Sequence, residues 1–297
     1  MNATTPRRQE RRRGIDGIFR SASALPWRLG VLAFILFSPT EMRADDMTLW
    51  YAQPAKVWMT EALPIGNGRI GGMVFGGVDQ EHIQFNEDTL WSGAPSSPPK
   101  GGAEHLKQIQ DLLTAGDEKQ VEPLMKKYFS SSAKGAYQPF GNLLIDVHPS
   151  GASFSDYRRE LNLRTGVAAV HYSLNGVAFD REYFCSFPDQ VMVLQFSSSK
   201  PKGISFTLRM TTPHDGSTVA AKDNRLILDG RLAANKLGFQ AIAVAEPEGG
   251  SLEATGDHID VREADAVTIV LAAATEFGKN DAHGANESRY HGRLGQR

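Results

Sequence analysis

Cysteine is almost absent from this chain: Cys185 is the only one. That excludes an intramolecular disulfide framework and any metal site built on cysteines. Cys185 lies in REYFCSF, a strand-like run with no patterned His or acid, so it reads as a buried structural thiol rather than a nucleophile. His82, His148, His171 and His214 are scattered, without H-x-x-x-H or H-E-x-x-H spacing, so a zinc site has no motif behind it. No serine occupies a G-x-S-x-G elbow, which leaves an α/β-hydrolase nucleophile without support. No repeat of fixed period is visible. No apolar run approaches the roughly 20 residues that span a bilayer. A basic face is also missing. Residues 1–28 carry seven Arg and two acids, so the body carries a net −7 within an overall charge of −2, and nucleic-acid binding is not expected.

What is present begins with an export pattern. An Arg-rich stretch ends near Arg28, and nine apolar residues follow from Leu29 to Phe37. That length suits the core of a signal segment spanning residues 1–44, with cleavage after Ala44, although Met42 is larger than the small residue preferred there. The expected destination is periplasmic or extracellular, with no stable membrane span. Hydrophobic content of 41% and charged content of 22% allow one or two domains with a proper core. The last 20 residues, 278–297, have Leu294 as their one large aliphatic residue and no period, so a disordered tail is expected there.

Between these ends, short strand-like runs such as Arg69–Phe75 and His82–Phe85 alternate with glycines. Ser96 to Gly102 reads as a loop by composition. Two helices follow. Leu106, Ile109, Leu112 and Leu113 share one face before a stop at Gly116. Val121, Leu124, Met125 and Tyr128 share another, with Asp117 as candidate N-cap. Pro123 should kink or shorten that second helix. From Tyr137 the period becomes two. Strands are expected at Asn142–Val147, Val167–Leu174, Val177–Ser186, Gln190–Ser197, Ile204–Met210, Arg225–Leu228, Lys236–Ala245 and Ala266–Ala273. Asn175-Gly176 between two of them favours a type I′ hairpin. Asp180-Arg181-Glu182 reads as edge charge that discourages strand-to-strand association. The rhythm is that of a sandwich or barrel.

Two segments could carry chemistry. Gly66-Asn67-Gly68-Arg69-Ile70-Gly71 fits G-x-G-x-x-G by spacing, with Glu87 at about the distance of a ribose-binding acid. Its context argues for a tight turn instead: Pro64 interrupts any preceding strand, and no helix follows. Asn86-Glu87-Asp88-Thr89-Leu90-Trp91-Ser92-Gly93 is dense in polar and aromatic groups. Glu87 and Asp88 are adjacent, and on an extended chain they point to opposite sides, so they would not flank one bond. Trp91 could stack on a sugar and Asn86 could bind hydroxyls. Equally, the cluster could be a loop tying a sheet to a neighbouring domain.

EALPIGNGRIGGMVFGG, QFNEDTLWSG, AYQPFGNLLIDV, DYRRELNL, GVAAVHYSLNGVAFDREYF, PDQVMVLQFS and LAAAT occur in one order between about Leu49 and Phe277. This arrangement resembles the N-terminal domain of glycoside hydrolase family 95, the α-L-fucosidase family. The resemblance implies a mainly β fold, a large antiparallel β-sandwich with a two-helix insertion, over residues 45–277. It further implies that linker helices, a catalytic α/α toroid and another β domain follow. The implied reaction is inverting hydrolysis of terminal α-L-fucosides or related α-L-galactosides, which needs no cofactor. No position here matches the toroid's acid or its water-activating residues. The expectation is therefore a truncated or frameshifted chain that is inactive alone, with a fucosylated glycan and the toroid as partners of the complete enzyme. A freestanding sugar-binding sandwich using Trp91, Trp58 or Trp50, and a purely structural domain docked on its toroid, are the other readings. The residues expected to touch substrate are Asn67, Arg69, Asn86, Glu87 and Trp91; none is expected to be catalytic or to ligate metal.

Overall fold

The computed structural model describes residues 47–93, 102–129, 135–148 and 153–277. The expected signal segment, the loop at 96–101 and the tail from 278 lie outside the described residues. Strands β1 (Thr48–Tyr51), β2 (Leu63–Gly66), β3 (Ile70–Val74) and β4 (Gln80–Glu87) come first. Helices α1 (Gly102–Thr114) and α2 (Glu118–Tyr128) follow. The next strands are β5 (Gly141–Val147), β6 (Phe154–Asn162), β7 (Val167–Leu174), β8 (Val177–Ser186), β9 (Val191–Ser198) and β10 (Ile204–Thr211). The last are β11 (Thr218–Lys222), β12 (Arg225–Arg231), β13 (Gly238–Glu248), β14 (Ser251–Thr255), β15 (His258–Ala264) and β16 (Ala266–Thr275).

Among the described residues these strands form two antiparallel sheets packed as a sandwich. The larger runs β1-β6-β7-β8-β9-β16-β13-β12-β11, and the smaller runs β14-β15-β10-β5-β4-β3-β2. Alternation decides which side chains face inward. Ile83 and Phe85 of β4, Leu143 and Ile145 of β5, and Phe206 and Leu208 of β10 are buried from one sheet. Met192, Leu194, Ile269 and Leu271 meet them from the other in a single core. Each such side chain contributes about 1.5–3 kcal/mol when fully buried.

A polar pin crosses this core. Glu81 of β4 and Arg181 of β8 are buried and 3.3 Å apart. Glu81 also accepts from the Gly76 and His82 backbone amides and from the Tyr183 hydroxyl. Arg181 donates to the carbonyls of Gly77 and Val78 and to the Tyr172 hydroxyl. Burial first, and then the Glu81 charge, pushes the Tyr183 phenol well above its ordinary range. Arg181 is therefore not an edge charge: β8 lies between β7 and β9, and the guanidinium points into the sandwich.

Other expectations change where tertiary context intervenes. Pro64 does not interrupt the chain before Gly66. It lies in β2, an edge strand paired only with β3, where its missing donor faces solvent. The strand is nevertheless followed by another strand, so the helix of a dinucleotide fold is missing at this point. Asp117 occupies the start of α2, but its side chain makes no capping bond. It accepts from Gln120 instead. α2 runs through Pro123 to Tyr128. The apolar helix faces are only partly covered: Ile109 and Val121 are buried, whereas Leu106, Leu113 and Met125 are exposed. Gly116 adopts φ +76°, as a helix stop requires. Asn175 and Gly176 adopt φ +52° and +78°, as the type I′ hairpin requires.

Candidate functional site

Asn67, Arg69 and Glu87 converge at one end of the sandwich. The Asn67 Oδ1 accepts from the backbone amides of Arg69 (3.0 Å) and Ile70 (2.9 Å), which closes the turn between β2 and β3. Its Nδ2 donates to the Ser186 carbonyl at 2.7 Å. Arg69 then reaches from the small sheet to the large one. It donates to Glu87 (3.0 Å), the Ala273 carbonyl (2.8 Å), and the side chain and carbonyl of Gln190 (2.8 and 2.7 Å). Glu87 is buried, and its second oxygen accepts from the amide and hydroxyl of Thr89. These three side chains direct their polar groups into the protein and lock the sheets together, so their bearing on a ligand runs through what they hold.

What they hold is a cleft. The Thr89 hydroxyl pairs with that of Thr275, which accepts the Phe277 amide at 3.2 Å. Trp91 and Phe277 stand on opposite arms of this relay and both line a cleft of about 570 Å³ with Asp88, Thr89, Ser92, Asn235 and Leu237. Trp91 is 48% exposed. Its indole nitrogen donates to the Asp88 carbonyl at 2.9 Å, which fixes the ring's orientation at the cleft. Tyr137 packs against it with centroids 5.3 Å apart. Burial, and then the charges of Glu87 and Asp88, push the Tyr137 phenol up. Asn235 fixes the opposite rim by donating to the Trp91 and Gly93 carbonyls.

Asp88 is exposed and is the one carboxylate among the cleft's described lining residues. A binding cleft with an aromatic wall needs no more, but glycoside hydrolysis needs two carboxyl groups facing one bond. Glu87 and Asp88 do point apart, one into the clamp and one toward solvent. Asn86 does not join the cleft. It faces the outer side of the small sheet, where its Oδ1 accepts the Phe140 amide at 2.8 Å. It lines a separate depression there with Trp58. Asn235, Leu237 and Phe277 carried no sequence signal, because they reach the cleft from more than 140 residues downstream of Trp91. Asp88 was visible within its motif.

Cys185 is partly buried, and burial pushes its thiol up to about 12, the direction that disfavours the reactive thiolate. Among the described residues no cluster of three or more His, Cys, Asp or Glu could hold a metal ion, and no helix is long and apolar enough to cross a membrane.

A family model described as glycosyl hydrolase family 65, N-terminal domain, matches residues 49–280. The chain belongs to this family. This family 65 N-terminal domain is also similar to proteins named as fucosidases, in agreement with the resemblance read from its motifs. It is 31% identical over 258 residues to Alpha-L-fucosidase 2 of Arabidopsis thaliana, an overlap of 78% of this chain and 30% of that protein. It is 33% identical over 201 residues to "Probable alpha-fucosidase A" of Aspergillus niger, covering 63% of this chain and 25% of that one. A protein of the same name from Aspergillus oryzae is 25% identical over 84% of this chain and 36% of its own length. The chain thus spans about a third, or less, of each relative it matches.

Proposed function

We propose that this family 65 N-terminal domain is the β-sandwich of an exported α-L-fucosidase-type glycoside hydrolase that acts on terminal α-L-fucosides of glycans. The observation that carries this reading is its 31% identity to the Arabidopsis protein named Alpha-L-fucosidase 2 across 78% of the chain. The cleft at Trp91 supports a sugar-facing role, since it pairs a half-exposed aromatic ring with hydrogen-bonding groups. The acid and base come from a helical toroid outside the matched region, and the 297-residue chain alone binds without turning substrate over. Asp88, the single carboxylate among the cleft's described lining residues, supports that division of labour. The Arg-rich opening and the apolar run from Leu29 to Phe37 support export.

The test has two measurements on the 297-residue chain. Calorimetric titration with methyl α-L-fucopyranoside should show weak binding, and Trp91→Ala should weaken it about 2- to 10-fold, the range of an aromatic contact. Incubation with 4-nitrophenyl α-L-fucopyranoside should release no nitrophenol. Release above the uncatalysed rate would overturn the assignment of acid and base to another domain. Unchanged affinity in Trp91→Ala would remove the cleft from the reading.

A further inference from the structure

The depression around Asn86 has its own physical character. It lies on the outer face of the small sheet and encloses about 200 Å³, less than the roughly 300–1,000 Å³ of sites for drug-sized ligands. Its floor is Gly71, paired with Asn86 across β3 and β4, next to Met73, paired with Gln84. Cross-strand partners point to the same side of a sheet, so Gln84 and Asn86 present two amides on the face shared with Gly71 and Met73. A Cβ at Gly71 would meet one atom within 4 Å, the Ile65 carbonyl oxygen at 3.4 Å, so the floor is not crowded. Asn86 uses its oxygen on the Phe140 amide, and its NH2 makes no hydrogen bond among the described residues. The Gln84 side chain makes no hydrogen bond among the described residues, while its backbone is paired within the sheet.

The wall is Trp58, 43% exposed. Its position is held firmly. The Glu61 carboxylate accepts from the amides of Lys56 (2.6 Å) and Val57 (3.2 Å) and so closes the turn that carries it. Those backbone bonds hold the Glu61 carboxyl below its ordinary range. The buried Arg159 donates to the Glu61 carbonyl at 2.7 Å and ties the turn to the large sheet. An exposed tryptophan on an anchored turn loses little freedom when a ligand covers it.

We propose that Trp58, Gln84 and Asn86 form a second sugar subsite, distinct from the Trp91 cleft, that takes one pyranose ring of a neutral oligosaccharide. The ring's C–H face stacks on Trp58, and the two amides bond its hydroxyls. Neutrality follows from the lining, which among the described residues contains no charged side chain, whereas the Trp91 cleft contains Asp88. The inference holds whether or not the cleft binds fucose, because it uses none of the same residues.

The experiment titrates lactose, cellobiose and methyl α-L-fucopyranoside into the 297-residue chain and its Trp58→Ala, Gln84→Ala and Trp91→Ala variants. Trp58 is exposed and the Gln84 side chain unpartnered among the described residues, so both variants should keep the parent melting temperature. At least one sugar should bind with affinity that falls several-fold in both Trp58→Ala and Gln84→Ala and is unaffected by Trp91→Ala. Binding lost only in Trp91→Ala would overturn the second subsite and leave the cleft reading standing. No binding of any of the three sugars, or binding indifferent to Trp58 and Gln84, would also overturn it. Should Trp58→Ala misfold, Gln84→Ala decides.

Discussion

Replacing Glu81 by Leu should be among the most damaging single changes in this domain. The carboxylate is fully buried between the sheets and accepts from Gly76, His82, Tyr183 and Arg181. Its removal leaves Arg181 charged and buried, with only neutral oxygens from Gly77, Val78 and Tyr172 around it. Removing one partner of such a pair costs about 3–5 kcal/mol. For a domain of this size that lowers the melting temperature by roughly 6–20 °C. Arg181→Met should also be costly, because Glu81 is then the uncompensated charge. The double variant should lose less than the sum of the singles, with a coupling of about 1–3 kcal/mol, since no lone charge remains. The assay is urea unfolding followed by tryptophan fluorescence and circular dichroism for all four proteins. A Glu81→Leu loss below about 1 kcal/mol, or strict additivity in the double variant, would refute the view that this pair pins the sheets.

Two further predictions concern the same core. Cys185 should resist Ellman's reagent at pH 8 in the folded chain and react after unfolding. Because its folded pKa of about 12 lies above the ordinary thiol value, its contribution to stability is complete below about pH 8.5 and is lost as pH rises toward 12, by up to about 1.4 kcal/mol per unit. Comparing unfolding of wild type and Cys185→Ala between pH 8 and 10.5 isolates that slope, and equal slopes would contradict it. Gly77→Ala places a Cβ 1.9 Å from the Gln80 carbonyl oxygen, so backbone must move. A loss of about 1–3 kcal/mol or more is expected in urea unfolding, and a neutral result would mean the β3–β4 connection is softer than its contacts imply.

The ease with which elements could be read from sequence tracks how local their causes are. β7 and β8 begin and end where alternation and the Asn175-Gly176 turn place them, because a period of two and a type I′ turn are set by neighbouring residues. β6 was recognisable only as the motif DYRRELNL. A register break between Ser155 and Arg158, with Asp156 at φ +53°, spoils its alternation. β14 and β15 are short and paired by a hairpin, so apolar residues such as Leu252, Ile259 and Val261 are too few to stand out. Within the candidate site, the motifs around Asn67 and Asn86 were visible as polar clusters. Their split into a clamp, a cleft and a separate depression was not, since it depends on which sheet face each residue occupies.

Sequence alone determined the β-rich class, the helical insertion and the fucosidase-like motifs, because periodicity, turn chemistry and motif order are carried by adjacent residues. Tertiary structure alone decided that Arg181 is a core residue, that Pro64 lies in an edge strand, and that Arg69 and Glu87 face inward while Trp91, Asn235 and Phe277 meet at one cleft. Those outcomes depend on pairing between strands distant in the chain. Burial and the need to satisfy buried polar groups then choose each partner, and neither can be read from a residue's immediate neighbours.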